Sequence, residues 1–178
     1  MMKKIIINIC LWLVFLVAYF LQLNFFSWFK IAGVMPNLFI ILILYIGLFM
    51  GKSMGLVYGV LYGLFLDLII GKRIGISSIT LAGIGIAGGI FDKNFSKDSR
   101  IIIMAMVAIA TMIYEAGNYF LGIIILKNSI EIIEFLKLVL IETIYNVLIT
   151  IILYPIMQST GYNVEDEFKE SKILTRYF

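Results

Sequence analysis

The sequence predicts an all-α integral membrane protein, a single bundle of six transmembrane helices. Three observations carry this reading. Of 178 residues, 62% are hydrophobic and only 14% charged, with a mean hydropathy of +1.07, whereas a soluble domain is about half apolar and a quarter charged. The apolar residues fall in long runs separated by short polar breaks. Glycine recurs in steps of four at 47, 51, 55, 59 and 63, Asp67 takes the next place, and glycine resumes at 71 and 75. Glycine in a water-soluble helix costs about 1 kcal/mol against alanine. In lipid, small residues four apart let two helix backbones approach and pack. The ladder of Gly55, Gly59 and Gly63 therefore reads as a packing groove, and it ends on a carboxylate.

The elements follow in order. Lys3 and Lys4 precede an apolar run over 5–26. That run is longer than the roughly 7–15 residues of a signal-peptide core, and it reads as a retained first span with Trp28 and Lys30 as interface anchors. Pro36-Asn37 opens a second run, 37–50, and a third covers 54–70. Proline suits a helix entry, where its missing N–H would lack a partner anyway. The stretch 37–70 exceeds one span of about 17–25 residues, so it reads as a hairpin turning at Lys52, with one long tilted helix as the alternative. A fourth run covers 76–91 and is rich in glycine (Gly83, Gly85, Gly88, Gly89). The polar segment 92–100 reads as a loop. The fifth span covers 101–126, a second polar segment 127–134, and the sixth span 135–157, with Pro155 near its end. The remainder, 158–178, reads as a short charged tail.

Six spans place both termini on one side of the bilayer. That side would hold Lys3, Lys4, Lys52, Lys93, Lys97, Arg100, Lys169, Lys172 and Arg176; the other would hold Lys30, Lys72, Arg73, Lys127 and Lys137. Positive charge favours the cytoplasm, so both termini are expected inside.

Composition also narrows the chemistry. There is no histidine, the commonest general base and metal ligand, and Cys10 is the single cysteine. Cys10 lies in an apolar run and is expected to be a small buried hydrophobe. No nucleophile–base pair, metal-ligand set, cofactor motif or phosphate loop is present. Gly51-Lys52-Ser53 lacks the upstream glycine of a P-loop and sits at a membrane turn. A net charge of +3, scattered along the chain, does not point to nucleic acid.

Three carboxylates fall inside the spans: Asp67, Glu115 and Glu142. A charge at the bilayer centre costs about 2.5–3.5 kcal/mol, so each should face the bundle interior and find a partner. Glu115 is followed by Asn118 and Tyr119, and Glu142 by Tyr145 and Asn146, each set within about one turn. Counting from the flanking lysines at about 1.5 Å per residue gives Asn118 and Asn146 similar depths. A polar cluster of Asp67, Glu115, Asn118, Glu142, Tyr145 and Asn146 is expected in the outer half of the bundle. It can be a set of interhelical hydrogen bonds, with Asp67 paired to Arg73 or Lys72, or a site for an ion, proton or ligand. The glycine ladder can serve packing within the chain or form a partner-binding groove. Tyr58 and Tyr62 read as core aromatics.

Pro36-Asn37, the glycine-spaced hairpin, Gly59-x-x-x-Gly63-Leu64-x-x-Asp67 and the following Gly75 resemble the MreD family of rod shape-determining bacterial membrane proteins. The resemblance is carried by 34–89; Asn37 stands where many such proteins show an acidic residue. It implies a non-enzymatic part of the cell-wall elongation machinery in the cytoplasmic membrane. The implied partners are a bitopic MreC-type protein, the actin-like MreB and the peptidoglycan synthases. It also implies a fold resembling the substrate-capturing subunits of energy-coupling-factor transporters. A vitamin-type binding subunit is thus the alternative function.

Overall fold

The computed structural model describes residues 2–70, 75–126 and 131–169. Among these, six long helices and one four-residue helix follow one another: α1 (Met2–Leu23), α2 (Phe25–Trp28), α3 (Leu38–Met50), α4 (Lys52–Ile70), α5 (Ile76–Asn94), α6 (Arg100–Leu126) and α7 (Ile132–Phe168). Among the described residues, four stretches are long and apolar enough to cross a membrane: Met2–Trp28, Lys52–Ile69, Arg100–Ile125 and Ile132–Phe168. The chain is a multi-pass membrane protein.

The bundle is built around α3. Every residue of α3 except Leu42 is buried, and α1, α4, α5, α6 and α7 all pack on it. At 13 residues it rises only about 20 Å, short of the roughly 30 Å hydrocarbon core. Its ends therefore lie inside protein, where each free backbone group needs a partner. At the start, the Asn37 side chain accepts from Phe39 N at 3.2 Å, and Gln22 Oε1 accepts from Leu38 N at 3.0 Å. At the finish, Lys169 Nζ donates to Leu48 O at 2.7 Å.

The stretch 37–70 is a hairpin, not one long helix. Its turn falls at Gly51, whose φ of +91° is a conformation that L side chains rarely adopt. Tyr62 anchors α1 to α4. It is fully buried, stacks on Phe15 with ring centroids 4.0 Å apart, and donates to Leu11 O at 2.9 Å. Tyr58 donates to Asn8 Oδ1 at 2.8 Å one turn away.

Three local expectations change. The polar segment 92–100 is not all loop: α5 runs to Asn94 and α6 begins at Arg100. Helix α7 does not stop near Pro155 but continues to Phe168. Pro155 lies on its exposed face, and beyond it Tyr162, Val164 and Phe168 pack on the core. Cys10 is exposed, because it stands on the wall of an open groove that α1 forms with α7.

Candidate functional site

The glycine ladder faces α5. A Cβ added at Gly55 would stand 2.4 Å from Gly85 O; at Gly59 it would stand 2.6 Å from Leu81 O and 2.7 Å from Ala82 Cα; at Gly63, 2.4 Å from Ser78 Cα. Gly47 on α3 meets the same Gly85 O at 2.3 Å. Helix α5 answers with its own small residues, Ser78, Ala82, Gly85 and Gly88, so backbone lies on backbone along the seam. The groove of Gly55, Gly59 and Gly63 is filled by this chain.

Asp67 ends the seam and is 2% exposed. Its carboxylate accepts from Gly75 N at 2.8 Å, from Ser77 N and Ser78 N at 3.3 Å each, and from Ser78 Oγ at 3.3 Å. Helix α5 begins after Gly75, which has φ +96° and no capping side chain of its own. Asp67 therefore caps α5 from the neighbouring helix, placing a negative group where the free N–H groups and the helix dipole favour one. The expected partners Lys72 and Arg73 lie outside the described residues.

The polar residues expected in one cluster divide into three groups. Asp67 is engaged at the start of α5. Tyr145 donates to Phe29 O at 2.7 Å and fastens the connection that follows α2. The others converge between α3, α6 and α7. There Asn146, fully buried, accepts from Asn37 N at 2.7 Å and donates to Thr111 Oγ1 at 3.0 Å. The Thr111 hydroxyl in turn donates to Val107 O at 2.9 Å. Glu142 is 6% exposed and faces Glu115, Asn146 and Asn37. Its Oε1 accepts no hydrogen bond among the described residues. Asn118 donates to Tyr114 O at 3.1 Å on its own helix. Among the described residues, no group of three or more acidic or Cys side chains is arranged to hold a metal.

Sequence reasoning missed Thr111 and Gln22 and marked Asn37 only as the opening of a run, because the value of all three lies in where the helix start of α3 is buried. It also missed a charged clasp at the end of the bundle that carries the N-terminus. Lys97 Nζ bridges Asp92 at 2.6 Å and Glu165 at 2.6 Å; Lys169 Nζ bridges Asp92 at 2.5 Å and Glu165 at 3.2 Å. Burial would raise the Asp92 carboxyl, but the hydrogen bonds and charges of Lys169 and Lys97 outweigh it and hold it below its usual range. Burial would lower Lys97, but Asp92 and Glu165 hold it above. The clasp ties the α5–α6 turn to the end of α7, and the acid–base alternation at 92, 97, 165 and 169 was its only trace in sequence.

Asp67, Asn37, Asn146 and Thr111 thus join helices through backbone caps and a carboxamide bridge beside the small-residue seam, while Glu142 Oε1 stays without a hydrogen-bond partner among the described residues. A family model described as rod shape-determining protein MreD matches residues 3–160. No curated protein matches and no solved structure matches, so the likeness to energy-coupling-factor subunits rests on the sequence resemblance alone. Since the match takes in most of the 178 residues, this membrane helix bundle belongs to the MreD family.

Proposed function

We propose that the chain is a non-enzymatic scaffold of the cell-wall elongation machinery, acting in rod shape determination. It sits in the bacterial cytoplasmic membrane with both termini in the cytoplasm, and its helix faces contact a bitopic MreC-type protein. MreB-type filaments and peptidoglycan synthases form the wider complex. The family match over residues 3–160 carries this reading.

The disposition of the polar groups supports it. Asp67, Asn37, Asn146 and Thr111 are engaged with backbone or with one another. Side chains on α6 and α7 such as Ile124, Ile144 and Ile152 point outward, which suits contact with lipid or with another span. Lys3, Lys97 and Lys169 share the end of the bundle closed by Glu165 and Glu167, as the positive-inside rule would have it for internal termini.

The test is affinity purification of the tagged chain from native membranes in mild detergent. Recovery of a single-span MreC-type protein in near-equal amount is expected. Its absence, or tight binding of a vitamin by the purified chain, would overturn the proposal.

A further inference from the structure

A groove of about 450 Å³ runs down the outside of the bundle between α1 and α7, floored by α3. Its walls include Val14 and Leu21 of α1, Leu38 and Leu42 of α3, and Leu153 and Val164 of α7. The polar side chains on it, Tyr45 and Thr160, are joined to each other at 3.0 Å, and Thr160 also donates to Ile156 O at 2.7 Å. The lining therefore offers a polar ligand almost nothing and an apolar one a continuous surface.

Shape narrows the occupant. From Val164 to Leu153 the wall rises about 16 Å, close to one leaflet of a roughly 30 Å hydrocarbon core. A partner's membrane-spanning helix would call for an apolar wall of about 30 Å, longer than the stretch 6–21 of α1 or 153–164 of α7 that lines the groove. An extended hydrocarbon chain, whose atoms pack at about 3.5–4.0 Å, fits inside.

The mouth supplies charge. Lys3 and Lys4 lie at the start of α1, one turn before the groove. Lys3 pairs with Glu167 at 2.9 Å. Lys4 stands 5.7 Å from the centre of the Phe168 ring, with no carboxylate in ion-pair distance among the described residues. The free N–H groups of the first turn of α1 add to the same field.

We propose that this groove binds one anionic phospholipid, an acyl chain lying between α1 and α7 and its phosphate at Lys4. The lipid belongs to the leaflet on the side of the termini, and it completes the packing of α1 against α7. The site is independent of the scaffold reading, since it needs no protein partner.

Native mass spectrometry of the full chain in mild detergent, titrated with phosphatidylglycerol or phosphatidylcholine, tests it. One tightly held phosphatidylglycerol per chain is expected, with weaker phosphatidylcholine. Lys4→Gln should weaken phosphatidylglycerol by about fivefold and leave phosphatidylcholine unchanged. Val14→Trp, which fills the groove, should abolish tight binding of both. Ile144→Trp, at an exposed position elsewhere on α7, should bind as wild type, and thermal melts of each variant confirm folding. Equal affinity for the two lipids, undiminished binding by a folded Val14→Trp, or a single-span protein held in place of lipid would overturn the proposal.

Discussion

Gly55 of α4 and Gly85 of α5 each occupy the space the other's side chain would need. A Cβ on Gly55 would stand 2.4 Å from the Gly85 carbonyl oxygen, and one on Gly85 would stand 2.1 Å from that of Gly55. The obstacle on both sides is backbone, so it cannot turn aside as a flexible side chain would. Gly83, on the same helix, meets nothing within 4 Å.

That contrast gives a paired prediction. Gly55→Ala or Gly85→Ala must separate two helices and should cost about 1–3 kcal/mol, the usual penalty of overpacking. Gly83→Ala should be neutral or stabilise by up to about 1 kcal/mol. Thermal melts of the purified variants in one detergent check both. Equal melting of Gly85→Ala and Gly83→Ala would refute the seam.

Asp67 should tolerate asparagine better than alanine. Asparagine keeps one acceptor oxygen for the Gly75 N–H, whereas alanine leaves several buried donors at the start of α5 without a partner. Each such donor costs about 1–3 kcal/mol. The expected order of melting temperature is wild type, then Asp67→Asn, then Asp67→Ala. Hydrogen exchange at Gly75, Ser77 and Ser78 should accelerate most in the alanine variant.

Asn146 and Thr111 should act as a unit. Asn146→Ala strands the Asn37 N–H and should cost about 2 kcal/mol. Thr111→Val alone should cost less. The double variant should fall short of the sum of the two, since either change already breaks the 3.0 Å bond between them. Strict additivity in a double-mutant cycle would show that this bond contributes nothing.

The clasp makes stability depend on pH in a fixed sense. Asp92 is depressed when folded, so its contribution is present above the unfolded value of 3.8 and is lost as pH falls through the lower folded value. Lys97 is raised, so its contribution is full below 10.5 and is lost as pH rises through the higher folded value. Stability should therefore be flat between about pH 4 and 10 as far as these groups are concerned. Asp92→Asn should lower that plateau and weaken the fall at low pH, and Lys97→Met should weaken the fall at high pH. An Asp92→Asn variant with an unchanged melting profile would dismiss the clasp as a surface ornament.

Much of the bundle was legible because its devices repeat. The four-residue glycine step is a property of one helix and can be read without knowing its neighbour. The break at Gly51 to Ser53 likewise announced a hairpin, and the structure moves its turn by one residue. What could not be read were pairings that depend on helix ends. For Asp67 the sequence offered Lys72 or Arg73, which lie outside the described residues, whereas its described partners are three backbone N–H groups, which nearly every residue type carries, and the Ser78 hydroxyl. Asn37 was visible as a residue but not as the cap of a helix too short to leave the protein. The end of α7 was misplaced because Pro155 and the charges after it look like a stop. In the fold, Lys97 and Lys169 gather Asp92 and Glu165 and carry the helix to Phe168. Cys10 was misjudged because an apolar run does not show which of its sides meets lipid.

If the chain holds other components of cell-wall elongation in place, as proposed, cell shape reports this most directly. In a rod-shaped bacterium that depends on this chain, depletion should widen and then round the cells. Re-expression of wild type or Gly83→Ala should restore rods, whereas Gly85→Leu, reaching the membrane but with its seam forced open, should not. Cells that keep their width on depletion, or that regain it with Gly85→Leu, would contradict the account.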